Sequence, residues 1–132
     1  MTVTIADKIE IQELCAALYL AVDGDDAAGF AATFAPDGVY VAAHGEIRGD
    51  AALHAFLRGY WKGVHRPGDR HFVANQIIEP HEAGARLRFN VVKLNAAFTP
   101  AVVVPARADC LIARKPGGWH FLRFQLIADA GA

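Results

Sequence analysis

The chain is 132 residues long, 54% apolar and 20% charged, with 13 Lys and Arg against 14 Asp and Glu for a formal net charge of −1. A chain of this length buries roughly two-thirds of the surface it exposes when unfolded, so one domain can hold a core without disulfide or metal. The balanced charge lacks the basic excess that phosphate backbones or anionic membrane surfaces attract, which removes nucleic acid and membrane as expected partners.

No apolar run approaches the roughly 20 residues needed to span a bilayer. The first ten residues lack the basic, apolar, small-residue order of a secretory signal. Two cysteines far apart in sequence, Cys15 and Cys110, read as buried thiols of a reducing compartment, so the expected location is the cytoplasm. Ala supplies 26 residues and little bulk, while eight Phe, two Trp and three Tyr supply much of it. The apolar share slightly exceeds the ordinary value, and the surplus is expected in a lined cavity or a subunit interface.

Thr4 and Asp7 form a capping signal, and Ile11, Leu14, Cys15, Leu18 and Val22 recur at helical spacing, which predicts a first helix from Ala6 to Val22. Gly24 ends it. Asp25 or Asp26 caps a short second helix with Ala27, Phe30, Ala31 and Phe34 on its apolar face, stopped by Pro36. Val39 to Ala43 and Glu46 to Arg48 read as a hairpin turned at His44-Gly45. Asp50 is the expected cap of a third helix, with Leu53, Phe56, Leu57, Tyr60 and Trp61 on one face. After Pro67-Gly68-Asp69 the chain becomes extended in four segments, His71 to Ile78, Leu87 to Phe98, Val102 to Ala113 and Trp119 to Ala128, divided by turn signals. Helices followed by long antiparallel strands mean α+β in one domain over residues 1–132. The last strand is apolar on both parities, through Trp119, Phe121 and Ile127 on one and Leu122, Phe124 and Leu126 on the other. That pattern predicts cover on both faces, by helices on one and a neighbouring subunit on the other.

Four stretches in this order carry a family likeness: Leu18 to Asp26 running on to Phe34-Ala35-Pro36-Asp37-Gly38, Gly45 to Gly49 leading into Ala51 to Leu57, Arg70-His71-Phe72-Val73-Ala74-Asn75, and Gly118-Trp119 leading to Arg123 and Asp129. The sequence resembles the SnoaL-like group of the nuclear transport factor 2-like superfamily. The resemblance implies a cone-shaped half-barrel, a curved mixed and mostly antiparallel sheet wrapped around a long N-terminal helix, with a pocket at one end. Relatives include scytalone dehydratase, a bile-acid dehydratase and a dehydrochlorinase, which eliminate a leaving group with an Asp and His pair. Asp23 matches that Asp, His71 that His, and Arg123 an Arg that some of these enzymes aim at substrate. The family also forms dimers and trimers, so a homodimer or homotrimer is expected.

Elimination or double-bond isomerisation beside a carbonyl needs a base, a group that fixes its tautomer, and a donor for the developing oxyanion. His71 can be the base and Asp23 its orienting partner. Taken alone, Asp23 reads equally as a helix-terminal polar residue and His71 as a strand-edge histidine; the matched order of motifs favours the pair. Tyr19, one turn before Asp23, and Tyr40, on the first hairpin strand, are the candidate phenols, with core packing as the alternative for Tyr19. Asn75 shares strand parity with His71 and is expected in the pocket, or else at a bulge. Arg123 is expected either to meet a substrate oxygen or to pair with an internal Asp such as Asp109 or with a neighbouring subunit. His44 sits at a hairpin turn from which it could reach the pocket mouth, while His54 falls on the polar side of the third helix, His65 and His81 in loops, and His120 on the strand parity opposite Arg123.

No two histidines stand at H-x-x-x-H or H-x-H spacing, so no metal site is expected, and no glycine-rich phosphate loop is present. Ser is absent from the sequence. The expected activity is therefore cofactor-free acid and base work on a hydrophobic, oxygenated ring compound, by a lyase or isomerase. The competing reading is a ligand-binding or subunit-partner module of the same fold.

Overall fold

A computed structural model of the chain describes residues 2–43, 45–96 and 100–128. Helix α1 (Ile5–Asp23) is followed by α2 (Ala27–Ala32), strands β1 (Phe34–Ala42) and β2 (Gly45–Arg48), α3 (Asp50–Gly63), and strands β3 (Arg70–His81), β4 (Gly84–Asn95), β5 (Val102–Lys115) and β6 (Gly118–Ala128). The six strands form one curved sheet in the order β2-β1-β6-β5-β4-β3, in which only β1 and β6 run parallel. This is the α+β half-barrel expected from the sequence. The hairpin residue His44, the strand end at Phe98 and Asp129 lie outside the described residues.

α1 starts at a reciprocal capping box: Thr4 Oγ1 accepts the Asp7 N–H at 3.0 Å and Asp7 Oδ2 accepts the Thr4 N–H at 2.9 Å. Both otherwise unpaired donors are thereby satisfied. The other Asp7 oxygen meets Arg114 near the end of β5, so the start of the helix is tied to the sheet. Ile11, Cys15, Leu18, Tyr19 and Val22 form its buried stripe, in one core cluster with Leu87 and Phe89 of β4, Cys110 of β5, and Phe121 and Phe124 of β6. Both cysteines are free buried thiols. Burial pushes the Cys15 thiol up to about 12, as a thiolate has no place in an apolar core.

Three local expectations change. The second helix ends at Ala32, because the Phe121 N–H donates to the Thr33 carbonyl at 2.9 Å and draws the chain into the sheet before Phe34. Pro36 therefore lies inside β1, at the register shift between Phe34 and Val39, where its missing N–H costs the ladder nothing. Gly49, at φ 87°, takes the N-cap position of α3 that Asp50 was expected to hold, and Asp50 falls in the first turn instead.

The largest correction concerns β6. Its register against β5 shifts between Leu111↔Arg123 and Ile112↔Phe121, which leaves Leu122 as an extra residue. A bulge of this kind reverses the facing of every later side chain. Trp119 and Phe121 point inward before it, and Phe124 and Leu126 after it. The double apolar pattern thus reflects one inner face read through a bulge, and the argument from it for a covering subunit falls. Phe72 and Ile77 of β3 nevertheless stand exposed on the chain surface.

Phe124 is fully buried and its ring meets Tyr19, Tyr40, Phe89 and Phe121. Phe124→Ala is expected to lower unfolding free energy by about 3–5 kcal/mol, measured by urea denaturation with an unchanged slope.

Candidate functional site: a shared carboxylate beside an apolar cavity

Asp23 is the last residue of α1, at the end where unpaired carbonyls make the local potential negative, and the last turn holds no basic residue. An ionised side chain there needs donors, and three reach it. The His71 backbone N–H donates to Oδ2 at 2.9 Å, His71 Nδ1 lies 2.7 Å from Oδ1, and His65 Nε2 lies 3.1 Å from the same oxygen. Burial pushes the Asp23 carboxyl up, but the bonds from the His71 side chain, the His71 backbone and His65 outweigh it and hold the group below its ordinary value.

His71 opens β3, and its Cα partner on β4 is Lys93. His65 follows α3, where its N–H donates to the Tyr60 carbonyl at 2.8 Å and its ring stacks on Trp61 at 4.2 Å. Trp61 in turn donates to the Val22 carbonyl at 2.6 Å, which ties α3 to the end of α1. The His65 ring is fully buried and its Nδ1 has no partner among the described residues. A bare lone pair there costs less than an unpaired N–H, so His65 carries its proton on Nε2 and donates it to Asp23. Asp23 likewise accepts the Nδ1 proton of His71, which leaves His71 Nε2 as the basic nitrogen. Both proton assignments follow from the hydrogen-bond pattern.

His71 also borders a cavity of about 160 Å³. Leu18, Phe30, Phe56, Val91 and Leu126 supply apolar wall, and Tyr19, Tyr40, Tyr60 and Lys93 supply the polar atoms. Tyr19 stacks on the His71 imidazole with ring centroids 4.9 Å apart. Burial raises the Tyr19 and Tyr40 phenols, and burial with the nearby Asp23 and Asp69 pushes Tyr60 up to about 12. All three are neutral donors at ordinary pH.

Asp23, His71, Tyr19 and Tyr40 thus come together as the sequence suggested. Asn75 and Arg123 do not. The β3 register shifts between Ala74 and Ile77, and Asn75 sits in that bulge at φ 59°, exposed beside Ile77, Arg88 and Arg107 on the outer face. Parity counted from His71 fails because the bulge intervenes. Arg123 follows the β6 bulge and also faces outward, 3.6 Å from Glu46, while Asp109 is held by Arg86 through contacts of 3.0 and 2.6 Å. Three site residues were missed: His65, Tyr60 and Lys93. Lys93 could have been found, since it continues the inward alternation of Leu87, Phe89 and Val91, where a cation is out of place. His65 left no such sign, because only the fold brings its loop to Asp23.

Ligand spacing registers only groups within single segments, whereas the fold brings together three ligand residues from separate segments. Asp23, His65 and His71 offer ligand atoms within 4.8 Å of one another, drawn from three separate elements. One carboxylate and two imidazoles are donors that zinc or non-haem iron accepts. The separations of 2.7 and 3.1 Å are equally those of N–H···O bonds, and the trio reads first as a hydrogen-bonded unit.

A family model described as a SnoaL-like domain matches residues 3–125. The chain belongs to the SnoaL-like family. The sequence finds no match among curated proteins. Among solved structures, this SnoaL-like chain is similar to a cystatin-like-fold protein of unknown function from Nostoc punctiforme, at 26% identity and TM-score 0.90 over 99% of this chain and 97% of that one. It is also similar to an NTF2-like protein from Novosphingobium aromaticivorans, at 22% identity and TM-score 0.87 over 97% and 85% of the two chains. A third, from Catenulispora acidiphila and solved in complex with S-DNPA, is 21% identical with TM-score 0.81 over 96% of each chain. Among the described residues no helix is long and apolar enough to cross a membrane.

The Asp23 carboxyl, held below its ordinary 3.8, contributes stability that is full above that value and lost as pH falls through the folded one. Asp23→Asn is therefore expected to cost about 1.5–3 kcal/mol near neutrality, with the difference from wild type shrinking as unfolding is followed from pH 5 to pH 2.5.

Proposed function

We propose that this SnoaL-like protein is a cofactor-independent lyase or isomerase acting on a hydrophobic, oxygenated ring compound. The observation that carries the reading is the 2.7 Å contact between His71 Nδ1 and Asp23 at the edge of an apolar cavity. With Nδ1–H given to Asp23, His71 Nε2 removes a proton from the carbon beside a carbonyl, and the C–H electron pair moves into an enolate. In an elimination the enolate collapses back to the carbonyl and expels hydroxide from the β-carbon, which leaves as water with the proton from Nε2. In an isomerisation the same proton returns to a different carbon. Asp23 stabilises the imidazolium throughout and remains ionised.

Asp23 as the carbon base is the weaker alternative, because its two oxygens already accept three hydrogen bonds. A purely ligand-binding role uses the same cavity without these proton transfers. The similar structure from Catenulispora acidiphila was solved in complex with S-DNPA, and that likeness together with the cavity supports a bound ligand. A homodimer or homotrimer is part of the proposal, with exposed Phe72 and Ile77 as its apolar contact.

The test is a screen of β-hydroxy and β,γ-unsaturated ring ketones, followed by variants assayed on the substrate found. Asp23→Asn and His71→Ala are each expected to lower kcat by about 10²–10⁴-fold, and unchanged turnover in both would sink the assignment. The grouping of Asp23, His65 and His71 gives a second reading, metal-assisted catalysis. Turnover is expected to survive exhaustive chelation; loss on chelation with recovery on adding Zn²⁺ or Fe²⁺ would establish that second reading instead.

A further inference from the structure

Lys93 is a charged side chain on the inner face of the sheet, 9% exposed, in a wall otherwise made of Leu87, Phe89 and Val91. Burying an ammonium without compensation is costly, so its partners define what the position is for. Nζ donates to the Tyr60 hydroxyl at 2.7 Å and stands 4.7 Å from the centre of the same ring. Its nearest carboxylate, Asp69 Oδ2, is 3.8 Å away. Asp69 is already committed elsewhere, accepting the Arg66 N–H on Oδ2 and the Ala96 N–H on Oδ1, both at 3.1 Å. An ammonium has three protons. Among the described residues only Tyr60 takes one at hydrogen-bond distance, and Lys93 borders the cavity.

Tyr60 is in a matching state. Its oxygen accepts from Lys93, so its own proton is available to another acceptor, and none is found among the described residues. Burial keeps that proton on the phenol. A hydroxyl whose oxygen is polarised by a cation is a stronger donor than a free phenol, and here the hydroxyl and the ammonium border one cavity.

We infer that Tyr60 and Lys93 form an oxyanion-binding site in the cavity, which seats the carbonyl, enolate or phenolate oxygen of a ring ligand. Its catalytic use rests on the acid–base reading above, while its binding role does not. The placement suits both. Lys93 is the direct cross-strand partner of His71, and side chains so paired project from Cα atoms about 4.5–5.5 Å apart on one face. A base and an oxygen donor that start from paired positions on one face and border one cavity can address the α-hydrogen and the oxygen of one carbonyl group. As a proton leaves for His71 Nε2, the growing charge on the oxygen meets the Tyr60 O–H and the Lys93 ammonium, a stabilisation larger in the transition state than in the ground state. Tyr19 and Tyr40 border the same cavity, with no cation bonded to their hydroxyls among the described residues, and they supply shape and neutral donors.

The probes are 2-naphthol and naphthalene, which share a ring outline and differ in one oxygen. Their binding is measured by calorimetry on the full chain, and ionisation of bound naphthol by absorbance against pH. Wild type is expected to prefer naphthol at least tenfold and to lower the pH at which it ionises. Tyr60→Phe and Lys93→Met should each reduce the preference to threefold or less while naphthalene binds as before, and Lys93→Met should raise the ionisation pH of bound naphthol. Preference that survives both variants, or that collapses only in His71→Ala, would overturn the site, as would failure of wild type to bind either ring. Should Lys93→Met not fold, the Tyr60→Phe ratio decides. If the naphthol preference behaves as expected while Asp23→Asn and His71→Ala leave turnover untouched, the acid–base reading fails and the oxygen site stands as a binding site.

Discussion

A carboxylate at the C-terminal end of a helix faces the negative end of the helix dipole, and in Asp23 it is also largely removed from water. Such a group persists as an anion only if donors converge on it. They come from the backbone and ring of His71, at the start of β3, and from the ring of His65, after α3. One side chain therefore sets the mutual position of the first helix, the third helix and the first long strand. The same bonds that keep Asp23 ionised fix the His71 tautomer, so the fold's polar junction and the candidate base are one arrangement. At the other end of α1, Asp7 divides itself between the capping box and Arg114. The helix is held at both ends, and its apolar stripe closes the cone.

Around that junction the cavity is nearly all hydrocarbon and aromatic ring, with polar atoms confined to three phenols, one imidazole and one ammonium. Scarcity gives these groups their character. Desolvation raises each phenol, and it lowers Lys93 against the opposing pull of Asp69 and Asp23. A bound carbonyl would meet neutral donors and a buried cation in a medium where each interaction is screened far less than in water. A small hydrophobic ligand matches this lining.

Two bulges decide which residues take part. Strand alternation is reliable only while the register holds, and one extra residue turns the rest of a strand over. In β3 the irregularity at Asn75 sends that side chain outward while His71 and Val73 remain inward. In β6 the extra residue Leu122 places Phe124 and Leu126 inside and Arg123 outside, against Glu46. The pocket's polar content is set as much by these two defects as by the identity of the residues.

The sequence by itself determined the class of the fold and half of the site. Helical spacing from Ile11 to Val22, the Thr4 and Asp7 cap, and the turn signals between the later strands are local properties, encoded in residues a few positions apart. The order of the motifs around Asp23 and His71 is likewise legible, as is the cation at Lys93 on an apolar parity. Tertiary structure alone decided the rest. Whether His65 reaches Asp23, whether Tyr60 meets Lys93, and which way Asn75 and Arg123 face depend on loop placement and strand register. Those follow from packing between elements 27 to 48 residues apart or across adjacent strands, and no periodicity within one segment records it.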